Sequence, residues 1–223
     1  MQFKKSSLQY LKDLKVNNNR DWFAATKPLF KEAQDNVKAL YAVIRENLEI
    51  HDEIDNFKLF RIYRDVRFAK DKTPYQPHFA GSFSRTGKHL RGGYYLRIRP
   101  GESVLAGGFW QPEKEDIYRI RKEIELDATE MRKILNDKNY IKHFGGKFEG
   151  DELKSAPRGF DKSHPDIDLI RKKGFIAVRN FTDKEVLDPN FLTEVSASFK
   201  ALRPFFNYMS DVLTTNLNGE SIL

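Results

Sequence analysis

Leu8, Leu11 and Leu14 recur at helical spacing and stop at Asn17-Asn18-Asn19, a cluster that favours turns. Asp21 is placed to cap a second helix entering through Trp22 and Phe23, with Pro28 near its start or at a kink. Leu29, Ala33, Val37, Leu40, Ile44 and Leu48 then carry one apolar stripe, which predicts a long amphipathic helix with a core role. After residues 52–56 the period changes to two. Phe60, Ile62, Val66 and Phe68 fall on one face of a predicted strand, interrupted by Arg64, and Leu59, Arg61, Tyr63, Asp65 and Arg67 fall on the other.

Residues 78–85 predict a short strand, and 94–99 with 103–110 a hairpin turned by Pro100-Gly101. Pro112 opens a helix with Glu113, Glu115 and Asp116 in its first turn and Ile117, Ile120 and Ile124 as its buried stripe. Another helix is expected around 129–136. His164-Pro165-Asp166 marks a helix start and Lys173-Gly174 its stop, 175–181 reads as a strand, and Asp188-Pro189 caps a further helix. Pro204 begins or kinks the last one. The expected fold class is α+β, a central, mostly antiparallel sheet of about four to six strands flanked by helices. Residues 1–223 are expected to form one domain, with a sub-domain seam near 140–152, where Gly145-Gly146 and Gly150 interrupt the pattern.

Composition supports a folded chain: 39% of residues are hydrophobic, and eighteen Phe supply ring surface for a core. The absence of Cys removes disulfides, thiolate nucleophiles and Cys-based metal sites. The N-terminus has no apolar stretch of the secretory kind and no apolar run approaches membrane length, so a cytoplasmic protein without a membrane partner is expected. Net charge is +7, and its distribution matters more than its size. Between residues 57 and 99, eleven Lys or Arg face only Asp65 and Asp71, a local surplus of nine. Such a basic stretch either meets an anion or protects a sheet edge from aggregation.

The strongest candidate site is the segment from Arg61 to Tyr75. On a strand, Arg61, Asp65 and Arg67 share a face, so Asp65 can orient both guanidinium groups toward an oxyanion. Arg64 points the other way. Lys70, Asp71 and Lys72 follow in a loop closed by Thr73-Pro74-Tyr75, where Tyr75 adds a hydroxyl. The competing reading is a structural ion-pair network in which Asp65 and Asp71 are satisfied counter-ions. Trp110, after the Gly107-Gly108 pair, is either a stacking surface for a base or sugar or a core anchor. Arg158 lies in a third polar loop. No phosphate-binding loop, dinucleotide fingerprint or nucleophile elbow is present, and the five His form no His-x-x-x-His pair. No metal site and no cofactor are therefore expected.

Several of these segments together resemble a large uncharacterised family of bacterial and fungal proteins defined only as a domain of unknown function. The matching residues are Asn18-Asn19-Arg20-Asp21-Trp22-Phe23 with Lys27-Pro28, and Arg64-Asp65-Val66-Arg67-Phe68-Ala69-Lys70-Asp71-Lys72-Thr73-Pro74-Tyr75. Gly107-Gly108-Phe109-Trp110-Gln111-Pro112, Ile120-Arg121, 153–159 and His164-Pro165 continue the match in order. The resemblance implies one family-length unit and brings no activity, cofactor or catalytic residue.

Three functions fit. The first is binding of a small phosphate- or carboxylate-bearing ligand, with or without catalysis, in which Asp65, Asp71, Tyr75 or His78 would be the acid–base groups. The second is nucleic-acid binding with Tyr63, Tyr95 or Trp110 as stacking platforms. The third is a scaffold meeting an acidic protein. The small anionic ligand ranks first because no nucleic-acid motif is recognisable. Oligomeric state is left open.

Overall fold

Leu8, Leu11 and Leu14 line the buried stripe of α1 (Lys5–Val16), and their helix packs on α3 (Lys27–Glu49). Between them lies α2 (Arg20–Ala25). The computed structural model describes residues 1–223. Four strands follow: β1 (Ile54–Leu59), β2 (Phe79–Arg85), β3 (Gly93–Ile98) and β4 (Ser103–Phe109). Next come α4 (Lys114–Leu126), α5 (Thr129–Leu135), α6 (Lys138–Phe144) and α7 (Ile167–Ile170), then β5 (Phe175–Phe181), α8 (Asp183–Val186), α9 (Phe191–Ala201) and α10 (Arg203–Thr214). The strands make one antiparallel sheet in the order β1-β2-β3-β4-β5, and the fold class is α+β. The chain divides into two units. One comprises Met1–Phe83, Tyr95–Leu105 and Asn180–Ala197, and the other Ser84–Tyr94, Ala106–Arg179 and Ser198–Leu223.

In the first unit, Asn19 rather than Asp21 caps α2, its side chain accepting the Trp22 N–H at 2.9 Å. Pro28 sits in the first turn of α3, so the run from residue 21 is two helices, not one kinked helix. Tyr41 of α3 is the organising core residue. Its ring stacks on Phe83, and its buried hydroxyl donates to the Leu96 carbonyl at 2.7 Å. A Cβ on Gly81 would come within 2.7 Å of the same ring. Phe79, Gly81 and Phe83 thus face α3, and alternation sends Ala80 and Ser82 to the opposite sheet face; His78, in the bend just before β2, lies within the electrostatic reach of Arg97 and Arg99. On β3, Leu96 and Ile98 are buried, so Tyr95 and Arg97 also project to that opposite face, and Arg99 follows immediately after the strand.

The strand expected over 60–68 is corrected. β1 ends at Leu59, and 60–78 is a connection that carries one isolated bridge, between Tyr63 and Tyr75. The apolar alternation is misleading here, because Ile62 is buried whereas Phe68 is 96% exposed. α8 was not foreseen, although Thr182 and Glu185 form a complete capping box at its start.

In the second unit, Ile120 and Ile124 anchor α4, and α10 packs against α4 and α5. Tyr94 meets Phe199 and Phe206 edge-on, and Phe109 meets Phe205 and Phe206 likewise. Gly108 is required by this packing: a Cβ there would sit 2.2 Å from the Phe175 carbonyl oxygen, at a φ of +137°. No helix is long and apolar enough to cross a membrane. Replacing Gly108 with Ala is expected to cost at least about 2 kcal/mol, because strands β4 and β5 must separate to admit the methyl group. Urea unfolding measures the loss, and an unchanged midpoint would contradict this packing.

Candidate functional site

The arginine-rich connection of the first unit is held by its ends. Arg64 N–H donates to the Pro74 carbonyl at 2.9 Å and Gln76 N–H to the Ile62 carbonyl at 2.7 Å, giving a short ribbon around the Tyr63–Tyr75 bridge. The Asn18 side-chain amide donates to the Tyr75 carbonyl at 2.9 Å, and its oxygen accepts the Tyr75 N–H at 3.1 Å. One carboxamide thereby serves as a strand partner for Tyr75. The Tyr75 ring stacks on Phe23 at 4.0 Å, and Tyr63 closes the cluster at 5.3 Å from Tyr75.

Most of the predicted site residues are used inside this loop. Arg64, largely buried, pairs with Asp71 and reaches the Thr73 hydroxyl. Asp71 also accepts the Thr73 backbone N–H at 2.9 Å, and that bond together with the Arg64 guanidinium draws its pKa down to about 2. Asp65 accepts from Arg67 alone, at 3.0 and 2.6 Å, which lowers the Asp65 pKa; Arg61 acts on it only through its charge. The expectation that Asp65 orients both arginines is therefore corrected, because without a strand the two side chains do not share a face. Lys72 donates to the carbonyls of Val66 and Arg67 at 2.9 and 3.3 Å. Arg61 and Lys70 are exposed and lie in no ion pair. Exposed Phe68 and Arg67 mark the loop tip.

A second cluster lies on the sheet face opposite α3. Phe60, whose N–H donates to the Ala80 carbonyl at 2.8 Å, has its ring 6.4 Å from Tyr95, and the Lys58 ammonium sits 5.8 Å from the Phe60 centroid. Beyond Tyr95 on the same face come Arg97 and Arg99. Both reach Glu102 by different groups: Arg97 Nη2 donates to its backbone carbonyl at 3.3 Å, and Arg99 Nη1 lies 3.4 Å from its carboxylate. The Nε atoms of both arginines are buried without a protein partner, as is Nδ1 of His78. Burial, reinforced by Arg97 and Arg99, pushes the His78 pKa down to about 4, so the imidazole is neutral at pH 7. The available signal was the alternation of Tyr95, Arg97 and Arg99 against Tyr94, Leu96 and Ile98.

The other two predicted residues belong to the second unit. Trp110 is 72% exposed, which overturns its reading as a core anchor. It follows β4 directly and precedes Gln111, a non-glycine residue at a φ of +48°. Arg158 is exposed at the tip of a turn closed by the Phe160 N–H donating to the Pro157 carbonyl at 3.1 Å. No group of three or more His, Asp or Glu side chains is arranged to hold a metal ion.

These features define an α+β chain with a five-stranded antiparallel sheet and an arginine-rich connection between its first two strands. The chain belongs to the family described as conserved hypothetical protein (DUF2461), whose model matches residues 6–208. No curated protein and no solved structure matches it.

The loop's ion pairs have a pH signature. Because the folded-state pKa of Asp71 lies below the ordinary 3.8, its contribution to loop order is fully present above that value and is lost as pH falls towards 2. Carboxyl-carbon NMR is expected to place the Asp71 midpoint near 2 and to show it moving upward in Arg64→Met. A midpoint that the substitution leaves in place would contradict the pairing.

Proposed function

We propose that this protein binds a small anionic ligand, bearing a phosphate or carboxylate, on the basic sheet face formed by Lys58, His78, Tyr95, Arg97 and Arg99. The observation that carries the reading is the pair of buried guanidinium N–H groups without protein partners, beside a neutral histidine. A buried donor left unsatisfied costs about 1–3 kcal/mol, and native proteins leave few of them. Two such donors, one on β3 and one just past its end, can both be satisfied by an oxyanion, since guanidinium groups present planar, directional N–H donors. His78, uncharged at pH 7, supplies an additional hydrogen-bonding position for a hydroxyl or amide of the ligand. The role that best fits Arg64, Asp65, Arg67, Asp71, Lys72 and Tyr75 is to build the neighbouring loop, with Arg61 and Lys70 adding attraction at longer range.

Nucleic-acid binding is the second reading. It is favoured by the adjacent Phe60 and Tyr95 rings, which with Lys58 and Arg97 resemble a stacking platform edged with cations.

Thermal denaturation in 150 mM salt, with inorganic phosphate, sugar phosphates and mononucleotides as probes, separates the two. The expected result is stabilisation of several degrees by at least one of these anions at millimolar concentration, lost in Arg97→Met/Arg99→Met. No stabilisation by any of them, with a single-stranded oligonucleotide bound at low salt and released steeply as salt rises, would select the second reading instead.

A further inference from the structure

Outside that face, the second unit contains a cavity of about 360 Å³ between the outer side of α4 and the 157–160 turn. The buried stripe of α4 is Ile120 and Ile124, so Lys114, Ile117, Tyr118 and Arg121, which line the cavity at spacings of three and four, form a different face of the helix. Pro157, Arg158 and Phe160 supply the opposite wall. Three cations, Lys114, Arg121 and Arg158, border it against one acid, Glu115; the neighbouring Asp116 is already paired with Arg91.

The cavity wall is held by contacts of its own. Lys122 pairs with Glu125 at 2.6 Å and lies 4.7 Å from the Phe160 centroid, while Phe160 meets Tyr118 edge-on at 6.1 Å. The rings are thereby fixed without using the three bordering cations. Arg121 is held at one end, its Nη2 donating to the Lys172 carbonyl at 2.8 Å, and its Nε is buried without a protein partner. Arg158 stands at the second position of its turn, where Gly159 takes a φ of +85° and directs the chain back to Phe160.

We infer that this cavity is a separate binding site for a small organic anion, a carboxylate or phosphate carried on an apolar, ring-sized body. The volume lies at the small end of the roughly 300–1,000 Å³ that ligand pockets occupy. Ile117, Tyr118, Pro157 and Phe160 receive the apolar body, and Arg121 with Arg158 takes the charged end. Inorganic phosphate, which has no apolar body, uses only half of these contacts.

The test titrates phenyl phosphate, benzoate and inorganic phosphate into the full chain while backbone amide NMR signals are followed. The expected result is perturbation of Tyr118, Arg121, Arg158 and Phe160 by at least one ring-bearing anion, with inorganic phosphate binding at least tenfold more weakly. Loss of one charged hydrogen bond in Arg158→Gln should weaken binding about tenfold. Arg158 is exposed, so this variant leaves the fold intact, and Arg121→Met is expected to weaken binding further. Silence at these four residues with both ring-bearing probes, equal affinity for inorganic phosphate, or unchanged affinity in Arg158→Gln would overturn the inference. Arg97→Met/Arg99→Met should leave this binding unchanged, so failure here and failure of the sheet-face proposal are read from different variants.

Discussion

Tyr75 exchanges two backbone hydrogen bonds with the Asn18 carboxamide and stacks its ring on Phe23. The arrangement of the arginine-rich connection depends on this contact. A connection as long as 60–78 carries a substantial ordering cost unless its ends are fixed. With Tyr75 fixed, residues 62–64 pair with 74–76, Arg64 is presented to Asp71 and Thr73, and the loop tip closes around its own charges. The chain segment carrying Asn18, Asn19 and Phe23 therefore has three separate tasks: a strand-like partner for Tyr75, a helix cap and a ring support.

Charge is distributed by the same logic. Within the loop, Asp65 and Asp71 each take one arginine, and Lys72 is absorbed by backbone carbonyls. On the sheet face beside it, the Glu102 carboxylate lies near Arg99 alone, Arg97 reaches only the Glu102 backbone carbonyl, and Lys58 has an aromatic ring rather than a carboxylate for a neighbour. Cation surplus thus becomes concentrated along and just beyond β3, where strand geometry rather than loop-internal pairing sets the spacing of the donors. Rigid placement favours recognition, because less side-chain freedom is lost when a ligand arrives.

Much of the fold could be read from the chain. The hairpin of β3 and β4 was legible because Pro100-Gly101 joins two alternating runs, and Gly101 does adopt a positive φ of +74°. The stripe from Ala33 to Leu48 was legible because its period leaves no alternative to a helix. The connection at 60–78 was misread because Ile62, Val66 and Phe68 imitate strand alternation, while the Arg67 backbone N–H turns back to the Asp65 carboxylate at 3.2 Å, an Asx-type turn. Asp21 was mistaken for the cap of α2 because both Asn19 and Asp21 are good capping residues and only the backbone geometry chooses between them. The sheet-face cluster was hard to find for a different reason: Arg97 and Arg99 look like ordinary solvent-facing positions until His78, some twenty residues earlier in the chain, is placed beside them.

The proposed sheet-face site rests on the Nε–H groups of Arg97 and Arg99, and their NMR signals report on it directly. Followed while inorganic phosphate or a sugar phosphate is added, both signals should move downfield and exchange more slowly with water, as each N–H gains a charged acceptor. The His78 ring resonances should shift in step. If every anion leaves both arginine signals where they began, these residues are structural and the proposed site does not exist.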